Sequence, residues 1–532
     1  MRKLHKKYQQ SGDAELLVVY QKEPHAGQLA FKDVAQPETL EQRVSLAKRM
    51  KDEYELPMTV LVDSMEDQSR ALLSDLASPA FVINSDGVIA NKFPWADADQ
   101  IEAAVEEVAQ STQDWGQWMG ANRDGVYAET GVIDSIPEVG LSIKWRTPIE
   151  GGYAGPAVAG GKVFVFDYRR SEGKAFNDPG KRATLMGSER LLVLDATTGE
   201  ELWAHQYECP YSISYPAGPR CTPTVDGDLV YILGSEGDLR CLKTEDGSLV
   251  WKKNFKTDFG AEIPIWGCAS HPLIDGDLLY TMVGGKGQGV VAFDKLTGDV
   301  KWKALDCNSG YCPPSIIEAG GARQLILFQP KGVSSLNPAD GSEYWTLPIE
   351  PKYEMSICRP MRDGNMLYAS GIGNQSLMMQ LAPDKPAVTE LWRGNPKNSV
   401  FSANATALFV DGVLYGSDCG SGKFMAVDAK SGERLWSNFD ATKLGEKRRV
   451  NHGTAFVTRI GETDRYFIMS EIGDLLIAEL TPEKYTPLGR FHVLEPTGEA
   501  FGRSVVWTHP AYANRTAYIR NDKEIVAVDL AK

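Results

Sequence analysis

The side chains of this 532-residue chain best suited to metal, acid–base or redox chemistry are its seven histidines and eight cysteines. No Cys-x-x-Cys pair occurs, so neither a zinc ribbon nor a thioredoxin-type dithiol is encoded. Some of these residues nevertheless fall in register. Several short segments align on a proline, or on the residue standing in its place. The residues just before that position are Gly155, Thr222, His271, Pro313, Arg359, Thr406, Thr454 and His509, and one step further out stand Cys221, Cys312 and Cys358. His271, Arg359, His509 and the three thiols are therefore candidates for the mouth of a central channel, where converging imidazoles and thiols would suit a metal ion. Opposite walls of a wide ring lie too far apart to share one ion, and cysteine also serves as a small buried residue. The expectation is that no metal is bound. A second candidate pair is Glu23 with His25, in a stretch, residues 1–112, that contains no cysteine.

The elements that must position the register are repeats. The unit Leu191–Trp203 (LLVLDATTGEELW) recurs as Leu239–Trp251, Val290–Trp302, Val333–Trp345 and Phe424–Trp436, with a lengthened version ending at Trp392. Successive tryptophans lie 43 to 51 residues apart, the period of a four-stranded propeller blade. A proline precedes an aromatic by eight positions in Pro156/Phe164, Pro223/Tyr231, Pro272/Tyr280, Pro360/Tyr368 and Pro510/Tyr518, and Ala407/Tyr415 keeps that spacing. With the segments near Pro314 and Thr454, these make eight inner strand pairs. Asp-Gly and Thr-Gly pairs supply the positive φ of the hairpins. Trp145, Trp203, Trp251, Trp302, Trp345, Trp392 and Trp436 are expected to lie flat between neighbouring blades as structural residues. The last unit, Glu524–Leu530, lacks its outer strand. Leu141–Pro148 (LSIKWRTP) supplies one and should close the ring, which removes open sheet edges.

Residues 1–112 follow another grammar. Glu15–Tyr20, Met58–Val62 and Ala80–Asn84 are short apolar runs that predict buried strands. Glu38–Tyr54 and Asp97–Val108 predict amphipathic helices, and Asn84-Ser85-Asp86-Gly87 a turn into a strand over Val88–Lys92. Strands alternating with helices indicate an α/β domain. The boundaries read as an α/β domain over 1–112, a lead-in over 113–140 and an eight-bladed β-propeller over 141–532.

The Ala-x-Asp-x-x-Thr-Gly-x-x-x-Trp pattern resembles the tryptophan-docking motif of the pyrroloquinoline-quinone (PQQ) repeat family. That family holds both the quinoprotein alcohol dehydrogenases and non-catalytic relatives of the BamB outer-membrane assembly type. The resemblance implies an eight-bladed propeller. For the catalytic members it also implies a vicinal cysteine pair and a tryptophan around the quinone, calcium on Glu, Asn and Asp, and a further Asp as base. No Cys-Cys pair occurs in this chain, the nearest spacings being Cys307/Cys312 and Cys209/Cys221, so no cofactor is expected. Residues 1–109 resemble the thioredoxin-fold iodothyronine deiodinases, through Leu16–Tyr20, Glu23-Pro24-His25-Ala26, Phe31, the helix from Leu40 to Met50 and Val60–Met65. There a selenocysteine or cysteine follows the first strand, with the Glu-x-His segment assisting it. This chain matches Glu23 and His25 but starts after the strand and nucleophile, so the resemblance implies an incomplete domain.

A formal charge of −15 argues against a nucleic-acid partner. No run of 18 apolar residues predicts a transmembrane helix, and the basic start Met1–Lys7 is not followed by an apolar secretory core. The chain as written reads as cytoplasmic, with a periplasmic or cell-envelope site as the alternative should its start lie further upstream. The leading functional expectation is a non-catalytic propeller that binds or scaffolds other proteins. The alternatives are a thiol- or selenol-dependent oxidoreductase and a quinoprotein dehydrogenase.

Overall fold

A computed structural model describes residues 1–11, 14–21, 34–69, 79–83, 89–443 and 450–532. The chain divides into two compact units, Met1–Thr112 and Gln113–Lys532.

In the first unit, Leu17–Tyr20 pairs in parallel with Thr59–Val62, in the register Leu17↔Thr59 to Tyr20↔Val62. Between them runs the helix Leu40–Glu53, opened by a capping box in which Thr39 accepts from Gln42 N while the Gln42 side chain accepts from Thr39 N. Ala80–Ile83 and Ile89–Phe93 pair antiparallel, and the helices Arg2–Ser11 and Ala98–Gln113 flank the set. Leu4, Tyr8, Val82, Ile101, Ala104 and Val105 form its small core. Glu23, His25 and the turn at 84–87 lie outside the described residues.

The second unit is an eight-bladed β-propeller, mainly β, as the period predicts. Its seven consecutive blades begin with the inner strands Ala157–Ala159, Thr224–Asp226, Leu273–Asp275, Ser315–Ala319, Met361–Asp363, Leu408–Val410 and Ala455–Ile460, here blades 1 to 7. Blade 8 is Ala511–Ala513, Thr516–Arg520 and Glu524–Asp529, completed on its outer edge by Ile143–Pro148 with Trp145 opposite Ala527. The two ends of the chain's repeat array are thus hydrogen-bonded into one sheet.

The repeat's consensus residues have separable jobs. Asp294 Oδ1 accepts from Leu296 N and Thr297 N at 2.9 and 3.0 Å, which holds the turn between the third and fourth strands. The register then slips by one residue next to the tryptophan, as between Ala292↔Trp302 and Phe293↔Val300, a bulge that re-aims the indole. Six of the seven indoles then reach the following blade. Trp145 donates to Ala196 O, Trp203 to Thr244 O, Trp251 to Lys295 O, Trp302 to Pro338 O, Trp392 to Ala429 O and Trp436 to Thr481 O, all at 2.8–3.1 Å. Trp345 departs from this and donates within its own blade to Gln324 Oε1 at 3.0 Å. The next blade there carries the lengthened turn Ala382–Ala387, without the Asp-x-x-Thr-Gly geometry.

The turn glycine is demanded twice over. Gly298 has φ 73°, and a Cβ on it would lie 2.7 Å from the Trp251 ring. Gly298→Ala should therefore combine backbone strain with a displaced indole, costing roughly 2–4 kcal/mol. The check is a urea melt of the full chain. An unchanged midpoint would mean that the indole is free to move aside.

Candidate functional site

Each inner strand starts at the end of the ring where blades are connected and finishes at the end where Asp-Gly turns reverse it. The residues before the strands, including Thr222, His271, Arg359 and His509, therefore sit part-way down the channel. The lead-in segment is what occupies that channel. Trp115 and Val158 exchange two backbone bonds in blade 1 at 2.8 and 3.0 Å, and Gly116 O accepts from Val225 N of blade 2 at 2.7 Å. Val126–Tyr127 adds in parallel to Arg459–Ile460 of blade 7. A Cβ on Gly125 would strike Leu408 of blade 6 at 2.7 Å, and the Trp115 and Tyr127 rings pack on Tyr512 of blade 8.

The tip of this plug is Arg123, which is 2% exposed. Its guanidinium donates to Gln117 Oε1 at 2.7 Å, to His271 O at 3.3 Å, to Pro314 O at 3.1 Å and to Pro272 O. Blade 5 answers by donating from Arg359 to Arg123 O. Thirteen residues, Trp115 to Tyr127, thereby touch all eight blades and close the turn end. Burial, and then the charge of Arg359, pull the Arg123 pKa down to about 9, which leaves this guanidinium charged at neutral pH.

Trp118 lies across the channel, stacked on His271 with centroids 5.2 Å apart and edge-on to His509 at 5.6 Å. His271 Nδ1 accepts from Thr222 N at 2.9 Å, which leaves Nε2 as the protonated nitrogen of a neutral ring. Burial holds His509 down near 3, and burial followed by Arg123 and His509 holds His271 well below its ordinary value. The structure thus brings His271, His509 and Arg359 to the buried floor formed by the plug instead of to an open mouth.

The three thiols go elsewhere. Cys358 Sγ faces Ala403 O and Ala405 O at 3.3 and 3.5 Å, Cys221 Sγ faces Cys268 O at 3.9 Å and Cys312 Sγ faces Pro313 O at 3.3 Å. All are buried in the blades, because one step along a strand turns a side chain to the opposite face. Burial pushes Cys312 up to about 12 and raises Cys221 and Cys358 as well, the reverse of what a reactive thiol requires. All eight cysteines are free.

Two positions upstream, the same alternation returns side chains to the channel: Tyr153, Arg220, Tyr311, Asn404 and Trp507. Sequence reasoning missed this column, although a period of two from His271 and its equivalents marks it. The Arg220 guanidinium lies over Tyr153 at 5.1 Å and donates to the carbonyls of Ser214, Tyr215 and Gly218. Trp507 Nε1 donates to Glu471 Oε2 at 3.1 Å. That fully buried carboxylate also accepts Arg503 on both oxygens, at 2.5 and 3.2 Å, and Thr454 N at 2.9 Å. His452 stacks on Phe501 at 4.9 Å, its pKa lowered to about 4 by burial and by Arg503. Tyr153, Trp507 and the groups they touch thus form an aromatic wall above the Trp118–Arg123 floor.

A quinone held with calcium does not fit these residues. The vicinal cysteines are missing from the sequence. Glu471, the carboxylate against the aromatic wall, has both oxygens engaged. Among the described residues, no three His, Cys, Asp or Glu side chains converge on a metal position.

Two outcomes follow from the floor and wall. Arg123→Met should leave the carbonyls of His271 and Pro314 buried and unpaired, while Pro272 O keeps the Thr224 hydroxyl, costing at least about 2 kcal/mol; a urea melt measures it. His271, His452 and His509 are all depressed when folded, so the unfolded chain binds protons first. Stability should be full above about pH 6.5 and decline as the pH falls toward the folded values of about 4 for His452 and about 3 for His509. His509→Gln should flatten the slope of unfolding free energy between about pH 6.5 and about 5, and an unchanged slope would contradict the assignment.

Comparison with known proteins is informative at the level of fold. A family model described as "Outer membrane protein assembly factor BamB" matches residues 187–438, blades 1 to 6. No curated protein matches the chain. The solved BamB from Moraxella catarrhalis is similar at 15% identity, covering 73% of this chain and 97% of its own, with a TM-score of 0.47. The quinohemoprotein alcohol dehydrogenase from Comamonas testosteroni is similar at 13% identity, covering 82% and 83%, with a TM-score of 0.50. What this chain shares with the Comamonas testosteroni protein is the propeller fold.

Proposed function

We propose that this protein is a non-catalytic propeller that binds other proteins as a scaffold and takes no cofactor. The observation behind this reading is the plug. A segment that contacts every blade closes the turn end, and the groups within the channel that would do chemistry are already committed. The histidines are neutral and packed against Trp118, Glu471 is bound by three donors and the thiols are turned into the blades. Such a ring offers a rigid body with outward-facing loops, which suits assembly better than turnover.

For the first unit we propose a thioredoxin-like ancestry of the deiodinase kind. Its order of strand, helix, parallel strand, antiparallel hairpin and helix supports that reading. Reductive deiodination or peroxide reduction requires a thiolate or selenolate that carries the covalent intermediate, and residues 1–112 contain no cysteine.

The test is enzymatic. Purified chain mixed with PQQ and calcium should oxidise no alcohol with an artificial electron acceptor, and should turn over neither iodothyronine nor hydroperoxide with dithiothreitol. Quinone-dependent turnover would overturn the scaffold reading. Peroxide turnover surviving alkylation of every cysteine would overturn the argument for the first unit.

A further inference from the structure

Blade 1 carries a feature that the propeller does not need. Its second and third strands, Lys162–Glu172 and Ala183–Asp195, are 11 and 13 residues long. The corresponding strands of the other blades run to at most eight. The excess extends as a horn beyond the strands of the other blades at the connection end of the ring. One flank is covered, because Tyr211–Ile213 pairs with Ala183–Leu185. On the other flank Ala157–Ala159 covers only Lys162–Phe164, and a single bridge joins Gly151 to Tyr168. Beyond that bridge, Arg169–Glu172 is an open strand edge among the described residues.

The charge of the horn is opposite to that of the chain. Residues 169–182 hold five basic and two acidic side chains, in a protein with a net charge of −15. Lys181 pairs with Asp178 at 3.7 Å, and Arg182 is spent on Ser212 O and Ile263 O. Arg170 and Lys174 are exposed and make no ion pair among the described residues. Beside them Phe176 and Met186 are 41% and 44% exposed. Asn177 Nδ2 donates to Glu499 O at 2.6 Å and Ser214 Oγ to Asp178 O, so the tip is anchored.

We propose that this horn is a docking edge for an extended, acidic segment of a partner protein, which adds as a strand alongside Arg169–Glu172. The proposal rests on the protein-binding reading above and names the chemistry of the partner. An edge strand supplies main-chain hydrogen bonds to any extended peptide, and its side chains select which one. Arg170 and Lys174 select acid, while Phe176 and Met186 offer apolar contact. A membrane or a nucleic acid would present its negative charge to the whole acidic molecule, whereas a single strand meets only the horn. A second copy of this chain would bring an equally basic edge.

The probe is a fluorescein-labelled ten-residue peptide of alternating Glu and Val, titrated with the full chain and read by anisotropy. A peptide of alternating Lys and Val is the control. The acidic peptide should bind, the basic one should not, and binding should weaken as salt rises from about 50 to about 300 mM. The double variant Arg170→Glu/Lys174→Glu should bind roughly tenfold more weakly or not at all. Both side chains are exposed, so its thermal melt should match the parent's. Failure of the acidic peptide to bind, or equal binding by the double variant, overturns the docking edge. So does capture by vesicles containing anionic lipid that the double variant loses, since the horn then serves a membrane. None of these results depends on quinone or peroxide turnover, so a failed docking edge and a failed scaffold reading are told apart.

Discussion

The contact between the tryptophan of one blade and the turn glycine of the next governs the propeller. A blade is a small twisted sheet with two apolar faces, and it is stable only when both are covered. The indole covers the periphery of that interface, and its N–H reaches a carbonyl that the neighbour's turn leaves pointing outward. Both halves need particular backbone geometry: a bulge beside the tryptophan and a positive φ at the glycine. The second half is missing opposite both Trp345 and Trp436: Trp436 still reaches Thr481 O of a turn without glycine, whereas Trp345 does not cross. Its neighbour has a longer turn without the glycine, and the indole finds Gln324 in its own blade. Pro383–Lys385 of that longer turn instead folds back, and Lys385 O comes against Gly320.

A ring of such contacts fixes neighbours but not the whole. Eight sheets around an axis leave a wide hole, and inner-strand polar groups facing it need partners. The plug supplies them. Arg123 is suited to the task because a guanidinium carries five N–H donors in a rigid fork, and here they satisfy carbonyls of two different blades together with Gln117. The price is two like charges, Arg123 and Arg359, placed together in a buried setting. Asp124 lies near enough to favour the charged form of Arg359. Closure therefore has two independent parts, the shared sheet of blade 8 and the radial bonds of the plug.

Blade number, hairpin positions and the joining of Ile143–Pro148 to Glu524–Asp529 were legible because they are periodic. Periodicity reports local packing, and each copy of the motif repeats the same evidence. The plug had no such signal. Arg123 bonds to carbonyls 148 to 191 residues away, and any residue type presents a carbonyl. Read alone, Asp114–Gly125 is a loop with two tryptophans. His271, Arg359 and His509 meet the plug, and nothing in the alignment says where the channel is blocked. The thiols were placed one step off for a related reason: a neighbour in sequence is on the opposite face of a strand. The aromatic wall was within reach of the same rule applied two steps upstream, from His509 to Trp507 and from Gly155 to Tyr153.

The seal at one end has a consequence for every function this ring could serve. Arg123 and Trp118 close the turn end of the channel, which leaves the connection end as the other face of the ring. That end carries the features that vary most from blade to blade: the long hairpin of blade 1, the Gly498–Ala500/Arg503–Val505 hairpin and the connections bearing Tyr153, Arg220 and Trp507. Turns at the other end are held to the Asp-Gly and Thr-Gly pattern because the tryptophans and strand twist require it, which leaves them little freedom to diverge. Recognition in this protein is accordingly concentrated on one face by the mechanics of the repeat. The separation is physical: residues that hold blades together cluster around the turn end, and residues free to meet a partner cluster where blades are joined.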